Sequence, residues 1–246
     1  MRHFLLHIFL LFTSVSSFSQ SIKVSITNKG ALIKDNVEIF NPYILLDKEK
    51  DKGKYIIAIK NGHMPQSVSV DELFSKNIAE FSFTLNPIAK PELSGNLKKI
   101  RFSKFVDLNY HTGKKGLLSY DLQKNDSKFS VAMDTFLTDK GFNVPPINTV
   151  VKDDYKNSDL VLGAEILSYK ASKSGTPGFR SSVVLKWSVY DFTQGKVVFS
   201  FLSGGYSNEE TKMNESEAFI IAAQDAAQEL INNKEFIHLI NIEPKN

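Results

Sequence analysis

Residues 183–201 read VVLKWSVYDFTQGKVVFSF, and this stretch decides the fold of the second half of the chain. Val183, Leu185, Trp187 and Val189 alternate with polar or opposite-facing positions. This is the period of two that places one strand face against a core. Thr193, Gln194, Gly195 and Lys196 then form a tight connection, and Val197, Phe199 and Phe201 resume the alternation on a returning strand.

Working outward, Leu160, Leu162, Ala164 and Ile166 mark a preceding strand with the same period. A helix is predicted from Asp126, with Phe129, Ala132, Met133, Phe136 and Leu137 on one apolar face and Gly141 at its C-terminal stop. Ile100, Phe102 and Phe105 open a strand before it. A short strand is expected around Val144 to Val151, interrupted by Pro145 and Pro146. Asn214, with Glu217 three residues on, reads as a capping box. The helix that follows gathers Phe219, Ala222, Ala223, Ala226 and Leu230 on one side, and residues 235–240 add an apolar turn. The predicted order is β-α-β-β-β-β-α, an antiparallel sheet carrying two helices over residues 98–240.

Upstream, residues 21–87 read as short strands without helices, an all-β Ig-like sandwich. Ile22, Val24 and Ile26 alternate with polar neighbours, Ala31 to Ile33 and Val37 to Phe40 follow, and Tyr55 to Ile59 reads as a buried strand. Gln66 to Val70 and Glu80 to Leu85 alternate again. Residues 88–97 hold Pro91 and Gly95 and form a linker. The expected class is therefore α+β.

Residues 1–19 complete the organisation. Arg2 precedes the apolar run Phe4 to Phe12, which is too short to span a membrane, and Ser17 and Ser19 sit where a signal peptidase reads. We expect a cleavable export signal with no membrane-spanning segment after it, hence a periplasmic or secreted protein. The chain has no Cys, so disulfides, thiol chemistry and a lipid joined through sulfur are not expected. Thirty basic residues against 27 acidic ones give a mixed surface, not a nucleic-acid footprint. Hydrophobic content of 42% suits an ordinary packed core.

The second half resembles a group of bacterial envelope domains. The residues that carry the likeness are Asn157, Asp159 and Gly163, then Trp187, Tyr190, Asp191, Gly195 and Lys196, and finally Ala218, Ala222, Ala223, Ala226, Ala227, Leu230 and Phe236. Its members include YajG-like and CsgG-like proteins, the amino-terminal domain of the Tol-system β-propeller protein, and a domain preceding trypsin-like peptidases. The resemblance implies an α+β envelope fold and transfers no catalytic residue. Residues 21–87 resemble a PEGA module through Gly30 and Ala31, Asn41 and Pro42, Gly53 to Tyr55, and Lys60 to His63. The module's Pro-Glu-Gly-Ala core is reduced here to Lys29, Gly30 and Ala31.

Candidate chemistry is sparse. Beyond the leader the histidines are His63, His111 and His238. No G-x-S-x-G elbow places a nucleophile, and no pair of histidines has helical zinc spacing. Asp47, Glu49 and Asp51 mimic the start of a calcium loop, but Gly53 falls one position late. Asp153 with Asp154, and Glu209 with Glu210, are adjacent acids that would point to opposite faces of a strand. Trp187 reads as core, and Gly204 and Gly205 as a bulge or strand end. The polar stretch 107–124 is the favoured binding loop, with Tyr110, His111, Lys114 and Lys115 as its candidate binding residues. No catalytic residue, cofactor or metal is assigned.

The sequence reading is thus a non-enzymatic envelope protein that binds another envelope protein through a strand edge or this loop. A glycan- or peptidoglycan-binding module using Tyr43, Tyr55 or Tyr110 is the alternative. A hydrolase is third, and requires Ser or Asp side chains to converge on His111.

Overall fold

The computed structural model describes residues 21–27, 29–107, 126–146, 157–174, 178–207 and 214–242. Eleven strands and four helices are described: β1 Ser21–Ile26, β2 Ala31–Lys34, β3 Val37–Ile39, β4 Tyr43–Asp47, β5 Tyr55–Ile59, β6 Gln66–Ser69, α1 Val70–Ser75, β7 Glu80–Phe83, β8 Ile100–Asp107, α2 Asp126–Asp139, β9 Leu160–Ser174, β10 Gly178–Asp191, β11 Lys196–Ser207, α3 Glu215–Leu230 and α4 Lys234–Ile240. The α+β class holds.

The first seven strands form two sheets, ordered β4-β1-β7 and β3-β2-β5-β6. Their shared core contains Ile22, Val24, Leu32, Ile44, Leu46, Ile56 and Phe83. This half contains one strand the sequence reading did not assign and one helix where only strands were expected. Tyr43–Asp47 is itself a strand, antiparallel to β1. Residues 70–75 form a helix, because Ser69 accepts a hydrogen bond from the Glu72 N–H and Asp71 and Glu72 occupy the first turn.

The second half is a four-stranded sheet, β11-β10-β9-β8. Leu160, Leu162, Ala164, Ile166, Val183, Leu185, Trp187 and Val189 all lie buried in its core with Phe129, Phe219 and Leu230 from the helices. The period-two faces are therefore real. The all-antiparallel expectation is corrected at one strand: β8 pairs with β9 in parallel, Ile100 opposite Leu160 and Phe102 opposite Leu162. A strand followed by a crossover that contains α2 returns in the same direction, which is the parallel connection. Residues 142–146 carry no strand, so the start of the one expected at Val144 to Val151 is absent, and 147–151 lie outside the described residues.

Helices and sheet are joined by polar bonds as well as apolar packing. Trp187 Nε1 donates to Ser203 Oγ at 2.8 Å, and Ser203 Oγ donates to the Ala226 carbonyl at 2.7 Å. The capping box forms as expected: Asn214 Oδ1 accepts from the Glu217 N–H at 2.9 Å and Glu217 Oε2 accepts from the Asn214 N–H at 3.3 Å. Gly141 takes a φ of 91°, the left-handed stop expected after α2. On the edge side of β8, Asp134 of α2 accepts from the Phe102 N–H at 2.7 Å, which occupies one of that edge's donors.

The two halves pack face to face. Ile33 and Ile57 form a shared cluster with Val184 and Tyr206, flanked by Tyr55, Leu167 and Leu202. Asn36 Nδ2 donates to Ser172 Oγ at 2.8 Å and to the Arg180 carbonyl at 3.3 Å. The layers thus run sheet, sheet, sheet, helices. The linker is stitched to the end of α4: the Lys98 N–H donates to the Ile240 carbonyl at 2.9 Å and the Ser94 N–H to Asn241 Oδ1 at 2.9 Å.

Candidate interaction surface

A β-strand buries one face and presents the other. On β4, Ile44 and Leu46 point into the sandwich, so Tyr43 and Leu45 must point out. Both are large and exposed, Leu45 at 62%. Among the described residues β4 is the edge of its sheet, paired with β1 on one side only. Opposite Leu45 and Tyr43 on β1 stand Lys23 and Ser25. The Lys23 ammonium lies 5.3 Å from the Tyr43 ring centre and 3.3 Å from Glu80.

The turn leading into β4 adds a second apolar element. Phe40 is 75% exposed beside Pro42, at the point where the chain leaves one sheet for the other. It borders a groove of about 830 Å³ at the end of the sandwich, with Ile26, Ala31 and Ile59 as apolar lining and Lys29, Lys60 and Glu38 as charged lining. Gly30 lines the same groove, and a Cβ there would overlap the Ile59 carbonyl and the Ile26 side chain. Glycine is therefore required for the close approach that shapes the groove.

The residues singled out in the sequence are dispersed. Tyr110, His111, Lys114 and Lys115 lie outside the described residues, as do the acids at 153–154 and 209–210. Tyr43 lies on the β4 face, whereas Tyr55 packs at the junction between the halves. Burial raises the Tyr55 hydroxyl pKa, helped by Asp71 and Glu165. The two tyrosines do not share a surface. His63 sits in a turn, its Nδ1 3.0 Å from the Asn61 carbonyl, and His238 occupies the last turn of α4.

Asp51 is buried and held by Lys34 at 2.6 Å and Lys54 at 3.0 Å, while Asp47 Oδ1 accepts from the Glu49 and Lys50 N–H groups. Burial works to raise the Asp51 pKa, but the bonds from Lys34, the Asp47 N–H and Lys54 outweigh it and hold the carboxyl at about 2. The calcium-like stretch is thus an ion-paired turn. Among the described residues no group of three or more His, Asp or Glu side chains is placed to hold a metal. Gly204 and Gly205 are also reassigned: they are close-packing positions inside β11, and the bulge against β10 lies at Val189 and Tyr190.

Sequence reasoning missed Phe40 and Leu45. The available signal was Tyr43 to Leu46, apolar at both strand parities in a sandwich too small to bury both.

No protein-family model matches the chain, and no curated protein matches it. Solved structures overlap it only loosely. A PelC dodecamer from Paraburkholderia phytofirmans is 13% identical, with 57% of this chain and 94% of that one covered at a TM-score of 0.35. A DUF330 protein from Xanthomonas campestris is 13% identical, with 63% and 88% covered at 0.33. The lipoprotein GNA1162 from Neisseria meningitidis is 13% identical, with 55% and 99% covered at 0.23. At such scores the likeness carries no argument, and the fold rests on the strand pairing described above. No helix among the described residues is long and apolar enough to cross a membrane.

Proposed function

We propose that this chain is a non-enzymatic envelope protein, exported by residues 1–19, that docks a protein partner on the β4 edge of its sandwich. The observation that carries the reading is the pairing of an open apolar edge strand, Tyr43 and Leu45, with the Phe40 groove beside it. Edge strands that stay free are usually blunted by charge, proline or a bulge, because an unblunted edge recruits another strand. On β4 the outward charge is Asp47 at the strand's end, turned into the following loop by bonds from the Glu49 and Lys50 N–H groups, so Tyr43 and Leu45 leave the rest of the exposed face apolar. An added strand would take its main-chain hydrogen bonds from β4 and seat an apolar side chain against Phe40. The second half of the protein would serve as a rigid mount.

The test compares wild type with a Phe40→Ser, Leu45→Lys double variant expressed in the native envelope. Recovery of a defined partner by wild type and its loss in a variant that melts normally supports the reading. Undiminished recovery by the variant refutes it.

A further inference from the structure

We propose a second, separate site: a shallow trough on the outer face of the second sheet that binds an uncharged glycan chain. It is independent of the β4 edge and lies in the other half of the molecule.

The sandwich covers only part of this sheet face, the part around Val184, Leu167, Leu202 and Tyr206. The remainder stays open among the described residues. On β10, Lys186, Ser188 and Tyr190 point outward, opposite the buried Leu185, Trp187 and Val189. Cross-strand register gives each an outward neighbour on both sides. Glu165 and Leu202 flank Lys186, Gly163 and Ser200 flank Ser188, and Val161 and Val197 flank Tyr190.

The middle row is therefore made of small residues, Gly163, Ser188 and Ser200, and forms a floor. One wall is Tyr190, whose ring meets the exposed Phe192 edge-to-face at 5.3 Å, together with Val197. The other wall is the Glu165 and Lys186 row beside the sandwich. Residues 186 and 190 are about 13 Å apart along the strand, wide enough for an extended chain crossing β9, β10 and β11.

The chemistry selects the occupant. Lys186 and Glu165 approach at 3.8 Å and neutralise each other, so the trough offers no net charge to a polyanion or an anionic headgroup. Its floor holds hydroxyls, with Ser188 and Ser200 Oγ 3.4 Å apart, so the apolar contact is confined to the Tyr190 and Val197 wall and the floor offers hydrogen bonds. An exposed aromatic ring beside hydroxyl and amphoteric hydrogen-bonding groups fits the apolar face and hydroxyl rim of a neutral sugar. At Gly163 an added Cβ would meet only the Lys104 carbonyl at 3.8 Å, so the floor can be filled without disturbing the sheet.

The experiment titrates the purified full chain with cellotetraose and chitotetraose by calorimetry. Binding is expected to persist at high salt, to weaken about tenfold in Tyr190→Ala, and to be lost in Gly163→Leu, while Phe40→Ser leaves it unchanged. The fold of each variant is checked by its thermal transition. Absence of binding to both sugars, or binding indifferent to Tyr190→Ala and Gly163→Leu in folded variants, overturns the proposal. So does preferential binding to anionic lipid vesicles that the same two substitutions abolish.

Discussion

Gly204 of β11 packs directly on Ile57 of β5, so closely that an added Cβ would come within 2.9 Å of the Ile57 Cγ1 atom. The neighbouring Gly205 faces the other way, where an added Cβ would fall on the Ala222 carbonyl and within 3.0 Å of Ala226 Cα. One dipeptide thus sets two layer spacings, sandwich to sheet and sheet to helix. Gly205→Ala must displace helix backbone, and is expected to cost about 3 kcal/mol. Gly204→Ala meets the Ile57 side chain and Ser67 Cβ, and is expected to cost less. Denaturant unfolding of the two variants checks the order.

Trp187 is the chain's lone tryptophan and is fully buried. Its indole N–H and the Ala226 carbonyl are both satisfied by Ser203. Ser203→Ala leaves both without that partner and is expected to cost about 2 kcal/mol. Tryptophan emission reads the change without any label: it should stay blue-shifted in the folded variant and move red at a lower denaturant concentration than in wild type.

Asn36 joins the halves from a left-handed turn position, φ 65°. Asn36→Gly keeps the turn geometry and removes the bonds to Ser172 and Arg180, so it isolates their contribution, expected at about 1 kcal/mol. Asn36→Ala adds backbone strain and should be worse. Equal melting of both variants with wild type would remove these bonds from the account of the junction.

One buried carboxyl, Asp134, and two half-buried ones, Asp225 and Glu229, make stability depend on pH. Burial raises Glu229 to about 8, and among the described residues its Oε2 finds no hydrogen-bond partner. Burial also raises Asp225 to about 6 against the pull of the Tyr206 N–H, and Asp134 to about 6 against the Phe102 N–H and Arg101. In each case the folded state holds its proton to higher pH than the unfolded state. The stabilisation is complete below the unfolded values and is lost as pH rises through about 6 and then about 8. Asp51, held at about 2, does not titrate in this window. Thermal stability should therefore fall from pH 5 to pH 8.5, and Glu229→Gln should flatten the upper part of the fall, gaining about 1–2 kcal/mol at the alkaline end. A flat profile in wild type would contradict this.

The long strands were legible because a wide sheet with one covered face imposes a strict period, as at Leu160 to Ile166 and Val183 to Val189. The apolar faces of α2 and α3 were legible through spacing, and the α3 cap through Asn214 and Glu217. The partner of β8 was not, since strand direction is set by the crossover and not by any pattern in Ile100 to Asp107. Residues 70–75 were hidden because six residues carry less than two turns of period. The small sandwich blurs alternation further: Ile56 faces one core and Ile57 another, so β5 reads as a continuous apolar run. The Tyr190 trough was unreadable, because it exists only through cross-strand neighbours far apart in sequence. Gly204 and Gly205 gave no signal of which layer each would touch.

The most direct test of the docking account places a photoreactive phenylalanine analogue at position 40, 45 or 72 of the full chain in the native envelope. Positions 40 and 45 lie on the proposed surface, and Glu72 is an exposed control on α1. Docking at the β4 edge yields one discrete protein adduct of the same mass at 40 and 45, and none at 72. No adduct at 40 and 45, or the same adduct at all three positions, would contradict it.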